Sequence, residues 1–214
     1  MSELFLARHG QTVWHAENRY AGSSDIDLTP RGREQARQLG DWAAGMAARG
    51  ELTAVLSSPL RRCRETAEPA AAATGRPLET DARLRELDFG RGEGLTRDEM
   101  RREFGAERAA FERDPGAVAL PGGEDPEAAV ARGLEALREV AASAPGGGPV
   151  LVVAHNTLLR MCLCAMLGIP LSEYRRVLPV LGNCALTKVR RRADGWSLLS
   201  YNTPPAAHPS RSGV

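Results

Sequence analysis

The clearest pattern along this chain is a series of short apolar runs, each followed by a polar or glycine-rich turn. The runs cover residues 4–7, 52–56 and 149–154, and their length and apolar character are typical of buried strands. Between the first two runs, apolar residues recur with a helical period, at Ala36, Leu39, Ala43 and Met46. The pattern therefore predicts strands that alternate with helices.

Capping signals predict where the longer helices begin. The pairs Thr29-Pro30, Ser58-Pro59 and Asp125-Pro126 each place a capping residue before a proline suited to the first helical turn. The Ser58 helix is expected to run toward Ala73, and further helices are predicted over 96–111 and 156–167.

The end of the chain predicts a hairpin. Residues 185–189 and 196–201 form two strand-like runs around the turn Ala193-Asp194-Gly195. Alternating strands and helices followed by a hairpin indicate an α/β fold, in which helices cover a mostly parallel sheet with an antiparallel edge. We expect one domain over 1–202, a helical lid inserted at about 95–123, and a disordered tail over 203–214, which is rich in Pro and Ser.

Composition narrows the function classes. Hydrophobic residues make up 43% and charged residues 26% of the 214 residues, and the net charge of +1 gives no reason to expect nucleic acid or a membrane as partner. The start of the chain lacks the pattern of a signal peptide, so a cytoplasmic location is expected. Because the four cysteines form no CxxC pair, we expect buried free thiols.

Two of the predicted strands end in a histidine. Arg8-His9-Gly10 follows the first run and His155 follows the run at 149–154. Open α/β sheets build their ligand sites at the carboxyl ends of strands, so the two imidazoles are expected to share one pocket.

The residue types at these ends suit a phosphate ester. Arginine binds phosphoryl oxygens through a planar fork, neutral imidazole can attack phosphorus, and a carboxylic acid can protonate the leaving oxygen. Arg62, in the first turn of a predicted helix, and Glu86, in a glycine-rich loop, complete this set with Arg8, His9 and His155.

Several motifs, in this order, resemble those of the histidine phosphatase superfamily, also called the phosphoglycerate mutase-like family. They are Arg8-His9-Gly10-Gln11-Thr12, the segment 58–67, the segment 84–90, Pro121-Gly122-Gly123-Glu124 and Ala154-His155. The resemblance covers most of residues 3–201 and implies a three-layer α/β/α sandwich, with neither metal nor cofactor. It implies that His9 is the phosphorylated nucleophile, and that Glu86 is the proton donor. Arg8, Arg62 and a protonated His155 would then hold the phosphoryl oxygens.

The chain departs from the family pattern at two positions. His15 stands where members often carry Asn after Trp, and Asn156 stands where Gly commonly follows the second histidine. We expect both to contact substrate, together with Tyr20, Gly22 and Ser23 of the loop after the first strand. An alternative for His15 is a plain loop residue, and Asn156 would be tolerated if its side chain capped the following helix.

Other roles remain open at this level. Asp88 and Glu93 lie in the same loop as Glu86 and are alternative proton donors. Four lid arginines could recognise a carboxylate or a second phosphate, although solvated helix faces are the simpler interpretation; they are Arg97, Arg101, Arg102 and Arg108.

The leading hypothesis is a phosphatase that hydrolyses a small phosphorylated metabolite through a phosphohistidine. A cofactor-dependent phosphoglycerate mutase is the first alternative, and a non-catalytic protein that binds a phosphorylated ligand is the second. The resemblance favours hydrolysis, because the family's mutases carry an extra water-excluding segment and a basic clamping motif between the acid loop and the second histidine. The segment between Glu86 and His155 shows neither. The expected partner is a small phosphorylated substrate, with a homodimer left open.

Overall fold

A computed structural model describes residues 2–206. Its centre is a six-stranded sheet in the order β3-β2-β4-β1-β5-β6. The strands are β1 (Ser2–Arg8), β2 (Ala54–Ser57), β3 (Glu79–Thr80), β4 (Val150–Ala154), β5 (Leu186–Arg192) and β6 (Gly195–Thr203). The strands β1 to β4 run parallel, whereas β5 pairs antiparallel with both β1 and β6. The predicted mostly parallel sheet with an antiparallel edge is thus confirmed.

Seven helices surround the sheet within the described residues. They are α1 (Val13–Ala16), α2 (Pro30–Ala48), α3 (Arg61–Thr74), α4 (Arg97–Arg113), α5 (Pro126–Ser143), α6 (Asn156–Met166) and α7 (Tyr174–Val177). Single 3₁₀ turns lie at Ala82–Leu84, Gly90–Gly92, Pro145–Gly147 and Leu171–Glu173. The two short helices α1 and α7 fall in segments whose polar patterns predicted no helix.

Successive side chains of the central strands point to opposite faces of the sheet, and each face packs against its own layer of helices. Leu4 and Leu6 of β1 belong to the apolar cluster that contains α5 and α6, whereas Phe5 and Ala7 belong to the cluster that contains α2 and α3. The fully buried strand β4 alternates in the same way. A three-layer arrangement follows, with strands apolar on both faces as parallel sheets require.

The capping predictions hold for two of three helices. The Thr29 hydroxyl accepts the Gly32 N–H at 3.0 Å, and the Asp125 carboxylate accepts the Glu127 N–H at 3.0 Å. Helix α3, however, begins at Arg61 with Leu60 as its N-cap, so the predicted start at Ser58 was wrong. The Ser58 side chain instead faces His155.

Other predictions concern the ends and the surface of the chain. In residues 2–206, no helix has the length and apolarity needed to cross a bilayer. Strand β6 extends to Thr203, one residue into the predicted tail, and residues 207–214 of that tail lie outside the described residues. All four cysteines are buried free thiols, as expected.

Candidate active site

The sheet register brings the two histidines together. Arg8, the last residue of β1, pairs with Ala154, the last residue of β4, so His9 and His155 leave neighbouring strands at the same level. The His9 N–H donates to the Ala154 carbonyl at 3.0 Å. The two imidazole centroids are 5.3 Å apart, and both residues are buried.

The hydrogen bonds of His9 define its tautomer. Its Nδ1 lies 2.8 Å from the Gly10 carbonyl, which can only accept, so Nδ1 carries the proton and Nε2 keeps its lone pair. Burial, and then the charge of Arg62, hold the pKa of His9 well below its usual 6.5. The imidazole is therefore neutral and has a free basic nitrogen.

Gly10 fixes the loop that carries His9. Its N–H donates to the Thr66 hydroxyl of α3 at 3.0 Å. A Cβ at this position would lie 2.6 Å from the Gly32 carbonyl oxygen, at the start of α2. Only glycine allows this close approach of the loop to both helices.

Arg62 is buried beside His155. Its Nη1 donates to the Ser24 carbonyl at 2.6 Å, and its Nη2 donates to the Gly22 carbonyl at 2.7 Å. Nη2 also lies 3.1 Å from Nδ1 of His155. Among residues 2–206, no acceptor lies within hydrogen-bonding distance of the buried Arg62 Nε.

The same contacts define the state of His155. Because a guanidinium only donates, Nδ1 must accept from Arg62, and Nε2–H then donates to the Ser58 hydroxyl at 2.8 Å. Burial, and then Arg62, hold the pKa of His155 well below 6.5. These contacts describe a neutral His155 rather than the protonated one expected from the sequence, since a buried imidazolium beside a guanidinium is unfavourable.

Arg8 and His15 lie on the other side of His9. Arg8 Nη1 donates to the Leu181 carbonyl at 2.9 Å, and its Nη2 contacts His15 Nε2. Burial lowers the pKa of Arg8 to about 10, and within the described chain its Nε has no acceptor. The His15 ring stacks on His9 with centroids 5.3 Å apart. His15 thus packs against two residues of the site rather than lying free in its loop.

Glu86 completes the site from the loop after β3. Its carboxylate accepts the N–H groups of Thr157 and Leu158 at 2.9 Å each, and that of Leu87 at 3.1 Å. Burial raises the pKa of Glu86 above 4.5, and the three backbone N–H groups oppose this effect without cancelling it. Glu86 therefore takes N–H groups at the start of α6, an end of a helix that favours negative charge.

The alternative donors lie elsewhere. Glu93 accepts the Ser23 N–H at 2.9 Å and the Ser24 hydroxyl at 2.8 Å, and so braces the loop after β1. The exposed Asp88 accepts the Gly90 N–H at 2.7 Å. Of the three carboxyl groups, Glu86 alone lines the cleft described next.

A cleft of about 750 Å³ opens over Arg8, His9 and Glu86, whereas the fully buried Arg62 and His155 lie behind its lining residues. His15, Tyr20 and Asn156 line it, as well as Arg8, His9 and Glu86. Gly22 and Ser23 lie outside its lining, where Gly22 offers its carbonyl to Arg62 and Ser23 is exposed. Asn156 does not need to cap α6, because Glu86 takes the N–H groups of Thr157 and Leu158.

The order and spacing of these residues match a known family model. The model of the histidine phosphatase superfamily (branch 1) matches residues 4–204. The chain belongs to this superfamily. The resemblance noted from the sequence motifs is thus confirmed.

Individual relatives of this chain extend the comparison. The probable phosphoglycerate mutase GpmB of Salmonella choleraesuis (strain SC-B67) is 34% identical over 196 residues, which cover 92% of this chain and 88% of that protein. A mycobacterial glucosyl-3-phosphoglycerate phosphatase in complex with VO₃ superposes with a TM-score of 0.82 at 31% identity, over 95% of this chain and 100% of that one. YhfR of Bacillus stearothermophilus superposes with a TM-score of 0.85 at 30% identity, over 95% and 98%.

In this member of the superfamily, Arg132 of α5 clamps the loop that ends at Glu86. Its Nη1 donates to the carbonyls of Arg83 and Arg85 at 2.7 Å each, and its Nη2 reaches the Glu86 carbonyl at 3.2 Å. Glu124 holds the guanidinium through Nε and Nη2, both at 2.7 Å. The Pro121-Gly122-Gly123-Glu124 motif therefore has a structural reason, which is to orient this arginine.

Replacing Arg132 by lysine is expected to lower kcat on an alkyl phosphate by about tenfold, because an ammonium cannot bond three carbonyls and a carboxylate in one plane. The matched control is Arg138→Lys, at an exposed position of the same helix. Steady-state kinetics on both variants test the clamp. Equal rates in the two variants would contradict it.

Burial of His15 predicts a pH dependence of the free energy of unfolding. Burial, and then Arg8, lower the pKa of His15 to about 3, against 6.5 in the unfolded chain. The neutral ring therefore contributes stability above pH 6.5 that is lost as pH falls toward 3. Between about pH 7.5 and 5.5, the free energy of unfolding of the wild type is expected to drop by about 1.4 kcal/mol more than that of His15→Asn.

Urea denaturation of both proteins at the two pH values measures this difference. His9 and His155 are common to both proteins, so their titration cancels in the comparison. An identical pH dependence in the two proteins would show that His15 titrates normally in the folded state.

The lid arginines divide into separate groups. Arg97 and Arg101 of α4 line the cleft, whereas Arg102 is exposed outside it. Arg108 is buried, pairs with Glu112 at 2.6 Å and packs against Tyr20 and Phe111 with its guanidinium 5.5 Å from each ring. Arg108 therefore anchors α4 to the rest of the molecule.

Four residues near the site carried no functional role in the sequence interpretation, which assigned only a helix cap to Ser58. Ser58 and Thr66 bond His155 and Gly10, and their place in the motif at 58–67 was the available signal. Arg160 of α6 and Arg175 of α7 line the cleft, but neither stands in a motif of the sequence. Among the described residues, no three His, Cys, Asp or Glu side chains form a possible metal site.

Proposed function

We propose that this histidine phosphatase is a metal-independent hydrolase of small phosphate monoesters that works through a phosphohistidine at His9. One observation carries the proposal: a neutral imidazole with a free Nε2 lies beside buried guanidinium groups. The Nε donors of Arg8 and Arg62 have no acceptor among residues 2–206. Phosphoryl oxygens would supply the acceptors that these donors lack.

In the first step, Nε2 of His9 attacks phosphorus and the bond from phosphorus to the ester oxygen breaks. The Glu86 carboxyl group, whose pKa burial raises, gives its proton to the departing oxygen. Arg8 and Arg62, through the Nε donors that lack acceptors in the described chain, bind the non-bridging oxygens, where charge builds up in the transition state. Nε2–H of His155 joins them by exchanging the Ser58 hydroxyl for a phosphoryl oxygen.

In the second step, water attacks the phosphoryl group and the bond from phosphorus to His9 Nε2 breaks. The Glu86 carboxylate accepts a proton from this water, and His9 returns to its neutral form. Inorganic phosphate leaves, and the Nδ1–H bond from His9 to the Gly10 carbonyl keeps the imidazole oriented in both steps.

The relatives give independent support. The mycobacterial protein that superposes over 95% of this chain is named a phosphatase and was solved with VO₃, an oxyanion of vanadium. Its likeness at 31% identity makes binding of a phosphate-like group by this chain a reasonable expectation. The proposal names the chemical class of the reaction and leaves the alcohol part of the substrate to experiment.

Trapping of the intermediate tests the proposal. The protein is mixed with a ³²P-labelled phosphate monoester, quenched in alkali, which preserves phosphohistidine, and digested for mass spectrometry. Label on His9 together with release of inorganic phosphate is the expected result. Tight binding of the ester with no label on any histidine would favour a non-catalytic binding protein.

The phosphoglycerate mutase alternative has its own support, since GpmB of Salmonella choleraesuis is named a probable mutase. A mutase must return the phosphoryl group to substrate before water reaches it. An assay of 3-phosphoglycerate with 2,3-bisphosphoglycerate present separates the two activities. Isomerisation that outpaces phosphate release would replace hydrolysis by mutase activity as the main function.

A further inference from the structure

The cleft carries more positive charge than one phosphate group requires. Its lining includes Arg8, Arg19, Arg97, Arg101, Arg160 and Arg175. Its carboxyl groups are already engaged: Glu17 pairs with Arg19 at 2.7 Å, Asp98 pairs with Arg101 at 2.6 Å, and Glu86 accepts backbone N–H groups. Positive charge therefore remains after Arg8 has served the transferred phosphate.

Two of the remaining arginines, Arg160 and Arg175, share one aromatic platform. The guanidinium of Arg160 lies 4.6 Å from the centroid of Tyr174, and that of Arg175 lies 5.4 Å from the same centroid. Arg175 also packs over Phe111 at 4.9 Å. Stacking on buried rings restricts both side chains, so little further entropy is lost when they bind a ligand.

Hydrogen bonds fix the pair further but leave donors free. Arg160 donates to the Leu178 carbonyl through Nε at 2.7 Å and to the Pro179 carbonyl through Nη2 at 3.4 Å. Arg175 Nε donates to the Tyr174 hydroxyl at 3.0 Å. No carboxylate of residues 2–206 forms a salt bridge with either guanidinium. Two like charges held on one ring, without a counter-ion in the described chain, favour a bound anion.

We propose that Arg160 and Arg175 form a subsite for a second anionic group of the substrate. The inference rests on the proposed phosphatase function and narrows its substrate class. The substrate is then a phosphate monoester whose alcohol part carries a carboxylate or a further phosphate. Arg8 and Arg62 bind the phosphoryl group that is transferred, and the Tyr174 platform binds the other anion.

Matched substrates test the subsite. 3-Phosphoglycerate and glycerol 3-phosphate differ in one group, which is a carboxylate in the first and a hydroxymethyl in the second. Wild-type kcat/KM is expected to be at least about tenfold higher for 3-phosphoglycerate, the size of one charge-assisted hydrogen bond. Comparing kcat/KM for 1,3-propanediol bisphosphate with kcat/KM for its monophosphate tests whether the subsite prefers a second phosphate.

Arg175→Met keeps the apolar stem on the rings and removes the charge. It is expected to lower the ratio of kcat/KM for 3-phosphoglycerate to kcat/KM for glycerol 3-phosphate about tenfold, back toward one. The matched control is Arg176→Met, because Arg176 is the next residue of α7 but is exposed and pairs with Glu173. The control is expected to leave the ratio within about twofold of wild type.

The outcomes separate the subsite from the phosphatase itself. Wild-type hydrolysis of p-nitrophenyl phosphate reports the reaction without a second anion. If that hydrolysis occurs while neither anionic substrate is preferred over its neutral partner, the subsite is refuted and the phosphatase stands. If Arg175→Met lowers kcat/KM equally for both members of a pair, Arg175 has a structural role and the subsite is again refuted. Absence of all hydrolysis refutes the proposed function.

Discussion

Replacement of His9 by alanine is expected to reduce turnover of any phosphate monoester by about 10⁴-fold or more, because the variant loses the atom that bonds to phosphorus. The neighbouring groups cannot take its place. Nδ1 of His155 accepts from Arg62, and His155 Nε2–H donates to Ser58, so that ring presents no free basic nitrogen. Steady-state release of inorganic phosphate measures the effect.

Three further measurements make this result interpretable. Circular dichroism and thermal unfolding check that His9→Ala is folded. The ³²P label is expected to disappear from the variant. Added imidazole is expected to restore part of the turnover, since it can occupy the cavity that the missing ring leaves. Turnover within about tenfold of wild type would contradict the assignment of His9 as nucleophile.

The second large effect is expected for Glu86→Gln and depends on the leaving group. For an alkyl phosphate, whose leaving oxygen needs a proton, kcat is expected to fall by about 10²- to 10⁴-fold. For p-nitrophenyl phosphate, whose leaving group departs as a stable anion, the loss is expected to be about tenfold. The ratio of the two losses measures proton donation separately from any general damage to the site.

The pH profile provides a second signature of Glu86. In the first step the carboxyl group must hold its proton, so kcat for an alkyl phosphate is expected to fall as pH rises through its pKa. Since burial raises that pKa above 4.5, this decline begins at higher pH than for an exposed carboxyl group. Glu86→Gln is expected to lose the decline, because glutamine does not titrate.

A matched control lies in the same loop. Asp88→Asn changes an exposed carboxyl group outside the cleft lining and is expected to leave kcat and the pH profile near those of wild type. Thermal unfolding of Glu86→Gln is needed beside it, because Glu86 bonds the start of α6. Equal losses on alkyl and aryl esters, with the alkaline decline retained, would exclude Glu86 as the proton donor.

The sequence predicted the sheet well because a buried strand is recognisable from its own few residues. Each central strand is a continuous apolar run, and parallel strands buried on both faces must be apolar at every position. The meeting of His9 and His155 follows from the same logic, since both residues stand directly after such a run. The two residues are adjacent only because β1 pairs with β4, which is a long-range contact. This pairing was a reasonable expectation, because open α/β sheets build their sites at the carboxyl ends of neighbouring strands.

Other parts of the site could not be predicted because they depend on contacts between distant segments. The carboxylate of Glu86 bonds N–H groups of α6 that are about seventy positions away in the chain, and Arg132 bonds carbonyls of the loop before it. No periodic or capping pattern records such contacts. Arg160 is similar, because it stands in an apolar helix and its role depends on its stacking on Tyr174.

The start of α3 illustrates how a local rule fails. Ser58-Pro59 has the composition of a helix cap, yet the Ser58 hydroxyl faces Nε2 of His155, and the helix begins at Arg61 with Leu60 as its N-cap. The side chain that would have capped the helix is used to orient an imidazole. Departures from local rules of this kind are expected where a site needs the same atom.

The position of β1 in the sheet also determines when the site can form during folding. The strand that leads to His9 lies between β4 at Val150–Ala154 and β5 at Leu186–Arg192, and both partners are distant in the chain. Until both have paired with it, β1 keeps an open edge that another chain could pair with. Formation of this site is therefore dominated by sequence-distant contacts, which slow folding relative to a protein of local contacts.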